Sequence, residues 1–375
     1  MRLKFVGVVL CAVSLVAGGG LLDPSPAGAV NAKTALLYGD SLMYESQWKL
    51  NSDFALQPGW TQVAHNFPGF ALCDWVSRLA ADIADVHPSV VAVETAGNYT
   101  RPCMLDGNGV PLAQGSEAFY AKYRADMHAF FSTATASGAA VVFIVAPPML
   151  SATWNTAVLG LQKIAREVAA SYPGVSVSTL PRNSVSAAGI YVATKPCLPS
   201  ETALAGCVSG QIGIRTNVGT QLGIHFCLPG LPTVYPYLCP EYSSGEFRFG
   251  GAVVSTAVTP PAPIRPTVRM QSVSGAEGAP LTFRPSLLWP YSQDLTLCYS
   301  TADGTATVAA NDYTAVTGCF TIPAWTTAGP TIPVSTAIDA VNEASESFVL
   351  KISGQTVPIT ANTKTVKGVI NTNVT

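Results

Sequence analysis

Apolar runs alternate with amphipathic stretches through the first half of the chain. A short apolar run closes at Gly39 and reads as a strand entering a tight turn, and residues 71–86 carry apolar positions at helical spacing. Residues 90–94 form a β-branched apolar run, the texture of a strand buried on both faces. The same reading predicts a helix over 117–135, a strand over 139–146 stopped by Pro147-Pro148, a helix over 155–171 and a strand over 175–179. Strands separated by helices imply an α/β domain with a parallel sheet covered on both faces, its chemistry on loops at the strands' C-terminal ends.

The texture then changes twice. Residues 185–240 are loop-rich and dense in Cys, Pro and Gly, as expected of a disulfide-braced lid or rim. Pro260, Pro261, Pro263 and Pro266 make 255–267 a stiff linker, which places the first domain at 30–254 and a second at 268–375. The second domain alternates β-type residues with regular turns, most clearly at 332–338 and 348–352, and reads as an all-β sandwich.

Composition narrows the partners. The chain has 375 residues, a formal net charge of −2 and 11% charged residues, so no basic block exists to release counterions from nucleic acid or an anionic membrane. Arg2, Lys4, the apolar run 5–16 and the small residues ending in Ala27-Gly28-Ala29 read as a cleaved secretory signal peptide over 1–29. Later apolar runs fall short of the ~20 residues a membrane helix needs, so an exported protein with no integral membrane segment is expected. A monomer is expected as well. Cys73, Cys103, Cys197, Cys207, Cys227, Cys239, Cys298 and Cys319 remain after cleavage, and an even set in an exported chain argues for disulfides over metal. Cys73 with Cys103 is placed to tie two candidate loops together. Cys227 is placed to pin its own loop through Cys239 or Cys207, and Cys298 with Cys319 to link neighbouring strands.

Ser41, in Gly39-Asp40-Ser41-Leu42, is the candidate nucleophile. A serine hydroxyl needs a base to take its proton as it attacks a carbonyl, and His225 is the candidate base. Gly69 stands ahead of a helical stretch with an unhindered backbone N–H, and Gly97-Asn98 follows the strand 90–94. Taken singly, Ser41 also reads as a turn or helix-cap residue, Asn98 as a turn residue and His225 as a core histidine. His65, His87 and His128 have no comparable context. Ser, Gly, Asn and His in this order, over roughly residues 33–235, resemble the SGNH, or GDSL, hydrolase family. The resemblance implies a three-layer, flavodoxin-like domain and a carboxylic ester hydrolase that needs no cofactor. It also implies an oxyanion hole made of the Ser41 and Gly69 N–H groups with the Asn98 side-chain amide.

One position departs from that family. Its usual aspartate, three residues before the histidine, is Leu222 here, and no Asp or Glu lies between Glu201 and Glu241. Three readings follow: a carboxylate from elsewhere in the fold, a Ser41–His225 dyad with the imidazole held by a backbone carbonyl, or an inactive site. An active dyad is expected.

Residues 268–372 resemble Calx-beta domains. Glu277-Gly278, the stretch 299–306 with Asp303-Gly304, Asn311-Asp312-Tyr313, and Asp339 with Glu343, Glu346 and Phe348 carry the likeness. Calcium-binding members cluster acidic loop residues at one end of the sandwich, so Glu277, Asp303, Asp312 and Asp339 are Ca²⁺ candidates that also read as turn formers. The function expected from the whole chain is a secreted serine esterase or lipase-type enzyme acting on a small ester, a lipid or an acylated polysaccharide. A non-catalytic binding or adhesion protein and an O-acyltransferase acting on a carbohydrate are the alternatives.

Overall fold

The structure is a computed structural model that describes residues 32–204, 206–215, 223–227, 243–338, 344–354, 356–361 and 365–371. The expected signal peptide, Leu222, Cys239 and Asp339 lie outside them. The first domain runs β1 (Lys33–Gly39), α1 (Ser41–Glu45), α2 (Gln47–Ala55), β2 (Trp60–Asn66), α3 (Leu72–Val76), α4 (Leu79–Val86) and β3 (Val90–Thr95). It continues with α5 (Glu117–Ala136), β4 (Ala140–Val145), α6 (Ala152–Ala169), β5 (Val175–Ser178) and α7 (Leu180–Ser184). A hairpin of β6 (Thr194–Pro196) and β7 (Gln211–Gly213) and the helix α8 (Ser244–Val258) complete it.

The parallel strands β1 to β5 form a five-stranded sheet in the order β2-β1-β3-β4-β5. Chain direction across the sheet reverses between β1 and β3. The crevice outside the C-terminal ends of those two strands is the switch point where doubly wound sheets place their ligands, and Ser41 and Asn98 both stand there.

Strand alternation sorts the core onto two faces. Leu36, Tyr38, Val91, Val93, Val141 and Phe143 face a cluster with Phe119, Tyr123, Phe130 and Leu161 of α5 and α6. Their neighbours Leu37, Ala92, Val142 and Ile144 face Leu42, Leu50 and Phe54 of α1 and α2 and Phe249 and Val253 of α8. Every residue of β3 is buried, Glu94 and Thr95 included, which explains the apolar run over residues 90–93. The region 71–86 is two helices broken at Ser77-Arg78, and α1, α2, β2 and α8 are elements that the hydrophobic pattern does not announce.

The second domain is a β-sandwich. Its larger sheet has five strands in the order Thr317–Ile322, Leu295–Ala302, Glu346–Gly354, Thr365–Asn371, Val273–Ala276. Phe283, Leu297, Val334, Phe348 and Leu350 fill the space between this sheet and smaller ones. Cys298 and Cys319 are register partners on adjacent strands and form a disulfide. The expected linker is shorter than 255–267, because α8 runs on to Val258 and Thr267–Arg269 is already a strand.

That linker bonds to the sheet edge, with Ile264 N donating to Val175 O at 2.8 Å. Ser292 N donates to Ser171 O at 2.7 Å, and the Trp325 ring lies 5.6 Å from that of Tyr172 and 6.2 Å from that of His128. Ser171 and Tyr172 precede β5, so the sandwich docks at the end of the sheet opposite Ser41. No helix among the described residues is long and apolar enough to cross a membrane.

Candidate active site

Ser41 is the first residue of α1, and Asp40 is its N-cap: Asp40 Oδ1 accepts from Leu42 N at 3.1 Å. Gly39 makes this abrupt strand-to-helix turn, since a Cβ there would lie 2.1 Å from Met43 Cβ. Ser41 is 9% exposed, and its Oγ has no hydrogen-bond partner among the described residues. A catalytic serine–histidine bond is often loose without substrate and tightens in the reacting complex.

The other Asp40 oxygen joins the loops around Ser41. Asp40 Oδ2 accepts from Ala96 N at 2.7 Å and from Asn98 Nδ2 at 3.1 Å, while the same Asn98 nitrogen donates to Phe70 O at 2.9 Å. Both amide hydrogens of Asn98 are therefore engaged within the chain. Tyr123 OH donates to Asn98 O at 2.7 Å and fixes the rest of that loop. The N–H groups of Ser41 and Gly69, in contrast, donate to nothing among the described residues. Gly69 has φ +75, and the space where a Cβ would stand is open.

The Gly69 loop is held from behind. Cys73 and Cys103 form a disulfide, Asp74 Oδ2 accepts from Ala71 N at 2.9 Å, and Arg101 pairs with Asp74 at 3.0 Å while lying 4.2 Å over the Phe70 ring. Two backbone donors are thus presented from separately anchored loops. Such preorganisation is what an oxyanion needs.

His225 is brought to this end of the sheet by a pinned loop. Its Nδ1 is hydrogen-bonded to Glu45 Oε1, and Glu45 Oε2 accepts from Phe226 N at 2.7 Å. Glu45 is the last residue of α1 and only 1% exposed. The imidazole is therefore held by a carboxylate from elsewhere in the fold, not by a backbone carbonyl. Burial pulls the His225 pKa down, but the Glu45 charge and hydrogen bond, with the Asp40 carboxylate, outweigh it and leave the pKa above its ordinary value. Glu246, on the first turn of α8, is pushed up to about 8 by burial and by the Glu45 charge, so at neutral pH it is mostly protonated.

Arg215 braces the same loop from inside. It is 2% exposed and donates through Nε to Gly223 O at 3.0 Å and through Nη2 to Ile224 O at 2.8 Å. Burial brings its pKa down to about 10, still fully protonated at neutral pH. Ser243 Oγ donates to Phe226 O at 2.7 Å, and Cys227 is itself in a disulfide. Cys207 pairs with Cys197, so it is not the partner of Cys227.

The remaining sequence candidates lie elsewhere. His65 packs against Tyr38, His87 caps α4 with φ 48, and His128 belongs to the domain contact. In the sandwich, Asp303 Oδ1 accepts from Tyr313 OH at 2.6 Å and Asp312 Oδ2 from Thr307 N at 2.6 Å, contacts that hold the intervening turn. Glu277 follows the strand Val273–Ala276. Among the described residues, a His/Cys/Asp/Glu trio with metal-ligand spacing occurs at Cys73, Asp74 and Cys103, where the sulfurs are in a disulfide and the carboxylate is paired with Arg101.

Residues 34–202 match a family described as "Protein of unknown function (DUF459)". No curated protein matches the chain. Among solved structures, TesA is 18% identical with a TM-score of 0.31, covering 42% of this chain and 88% of its own. The psychrotrophic esterase EstA from Pseudoalteromonas sp. is 18% identical with a TM-score of 0.29, covering 40% of this chain and 78% of its own. The Calx CBD1 domain is 20% identical with a TM-score of 0.26, covering 28% of this chain and 96% of its own. Likenesses this partial leave function to be read from the residues themselves.

Proposed function

We propose that this protein is an exported serine hydrolase of carboxylic esters in which Ser41 is the nucleophile, His225 the base and Glu45 the acid that orients it. The bond between His225 Nδ1 and Glu45 carries the reading. An ionised Glu45 keeps the proton on Nδ1, which leaves Nε2 to take the Ser41 proton as Oγ attacks the ester carbonyl. The Ser41 and Gly69 N–H groups then receive the charge that develops on the carbonyl oxygen, a service worth about 100- to 1000-fold in rate per donor. His225 returns the proton to the departing alcohol, and water attacks the acyl-enzyme by the same route to release the acid.

With both its hydrogens engaged, Asn98 enters as the tie between the Gly69-Phe70 backbone and Asp40, in place of the third donor implied by the family resemblance. The substrate class proposed is a small ester, a lipid or an acylated polysaccharide. A carbohydrate hydroxyl in place of water makes the same chemistry an acyl transfer. The sandwich serves as a spacer or adhesion module, with calcium at its acidic loops as an untried addition. A fluorophosphonate probe tests the core of the proposal: labelling of wild type and Ser52→Ala, lost in Ser41→Ala, is expected. Absence of labelling in folded wild type overturns it.

A further inference from the structure

Glu94 lies beneath the nucleophile and has no part in the mechanism above. It is the penultimate residue of β3, between buried strands, and is 0% exposed. Neither of its carboxyl oxygens meets a hydrogen-bond donor among the described residues. A fully buried carboxylate without a donor is too costly to persist as an ion.

Its neighbour is Asp40. Asp40 follows β1 at the register that pairs Tyr38 with Val93, which sets it beside Glu94 on the neighbouring strand, and it is also 0% exposed. Two ionised carboxylates can only accept and repel, so a buried pair this close needs a proton between them. Asp40 accepts from Leu42 N, Ala96 N and Asn98 Nδ2, all of which favour its ionised form, whereas only the Asp40 N–H and the Arg215 charge favour an ionised Glu94, and burial with the Asp40 charge outweighs them. The proton therefore belongs on Glu94. The other charged or titratable groups that bear on Glu94 do not remove this need. Arg215 makes no ion pair with it among the described residues, its Nε and Nη2 going to the Gly223 and Ile224 carbonyls and its Nη1 meeting no partner there, and Tyr123 of α5 gives its hydroxyl hydrogen to Asn98 O.

We propose that Glu94 is a positioning residue that carries a proton at neutral pH and donates it to Asp40, so that one buried proton sets the spacing of the loops bearing Ser41, Gly69 and Asn98. Asp40 caps the helix that starts with Ser41 and, through Asn98, holds Phe70 O beside Gly69. Loss of the proton places a second negative charge against Asp40 and pushes these loops apart. The inference deepens the proposed serine chemistry by naming what supports its site, yet its first readout needs no catalysis.

That readout is the denaturation midpoint of wild type and Glu94→Gln from about pH 5 to about pH 9. Glutamine keeps an N–H donor toward Asp40 and does not titrate. In the wild type the native state holds a proton that the unfolded chain releases above about pH 4.3, so wild-type stability falls as pH rises toward the folded pKa. The advantage of Glu94→Gln over wild type should therefore grow with pH. A pH-independent difference, or one that shrinks, overturns the proposal whether or not the protein is an esterase. With a p-nitrophenyl ester at neutral pH, Glu94→Gln should keep kcat and KM within about threefold, while Glu94→Ala lowers kcat by about tenfold or more at similar KM. A folded Glu94→Gln as impaired as Glu94→Ala also overturns it.

Discussion

Glu45 and His225 meet across 180 residues of sequence, and the helix that supplies Glu45 begins with Ser41. The proposed nucleophile and acid thus ride on one short rigid element. The proposed base alone arrives from a distant loop, and Arg215, Ser243 and the Cys227 disulfide restrain that loop.

Glu45→Gln should change both rate and pH dependence. His225 acts as a base only when neutral, and Glu45 raises its pKa, so wild-type kcat/KM should fall as pH drops through a value above the usual ~6.5. The variant should lose about 100- to 10,000-fold in kcat, with an acid limb moved to lower pH. A pH-rate profile of both proteins checks the two effects together.

The sheet and the four-block order of Ser41, Gly69, Asn98 and His225 were legible because buried parallel strands leave long apolar runs and because each block stands at a strand end or turn. Glu45 was not. No spacing rule ties an acid in the first helix to a histidine 180 residues on, and Tyr44-Glu45-Ser46 reads as an ordinary polar surface until the fold buries it. The helix α8 was hidden by Gly245, Gly250 and Gly251, which depress helix propensity, although its apolar face covers the sheet. The edge strand β2, mostly half-buried, lacks the apolar run that marks β3.

Arg215→Met should destabilise the protein and weaken catalysis together. The substitution leaves the Gly223 and Ile224 carbonyls buried without their donor, at about 1–3 kcal/mol each by the usual cost of an unsatisfied group. Urea unfolding and ester hydrolysis should both report the loss, and Arg215→Lys should recover part of each.

Removing the Cys73–Cys103 disulfide by a double serine substitution should cost roughly 3–4 kcal/mol, the loop-closure entropy of its 30-residue separation. Because the bridge anchors the Gly69 loop, kcat should fall at temperatures where the variant is still folded. Calorimetry with parallel activity measurement separates the two effects.

Trp325→Ala should leave ester hydrolysis within about twofold of wild type, since its contacts with Tyr172 and His128 lie at the far end of the sheet from Ser41. It should loosen the domain contact, so that calorimetric unfolding of the two domains separates into two transitions.

The most direct measurement is the hydrolysis of p-nitrophenyl esters from acetate to palmitate by wild type, Ser41→Ala, His225→Ala and Glu45→Ala, each confirmed folded. The account predicts turnover by wild type, loss to background in the serine and histidine variants, and a deep but incomplete loss in the glutamate variant. Wild-type rates equal to those of Ser41→Ala across the whole series would contradict it.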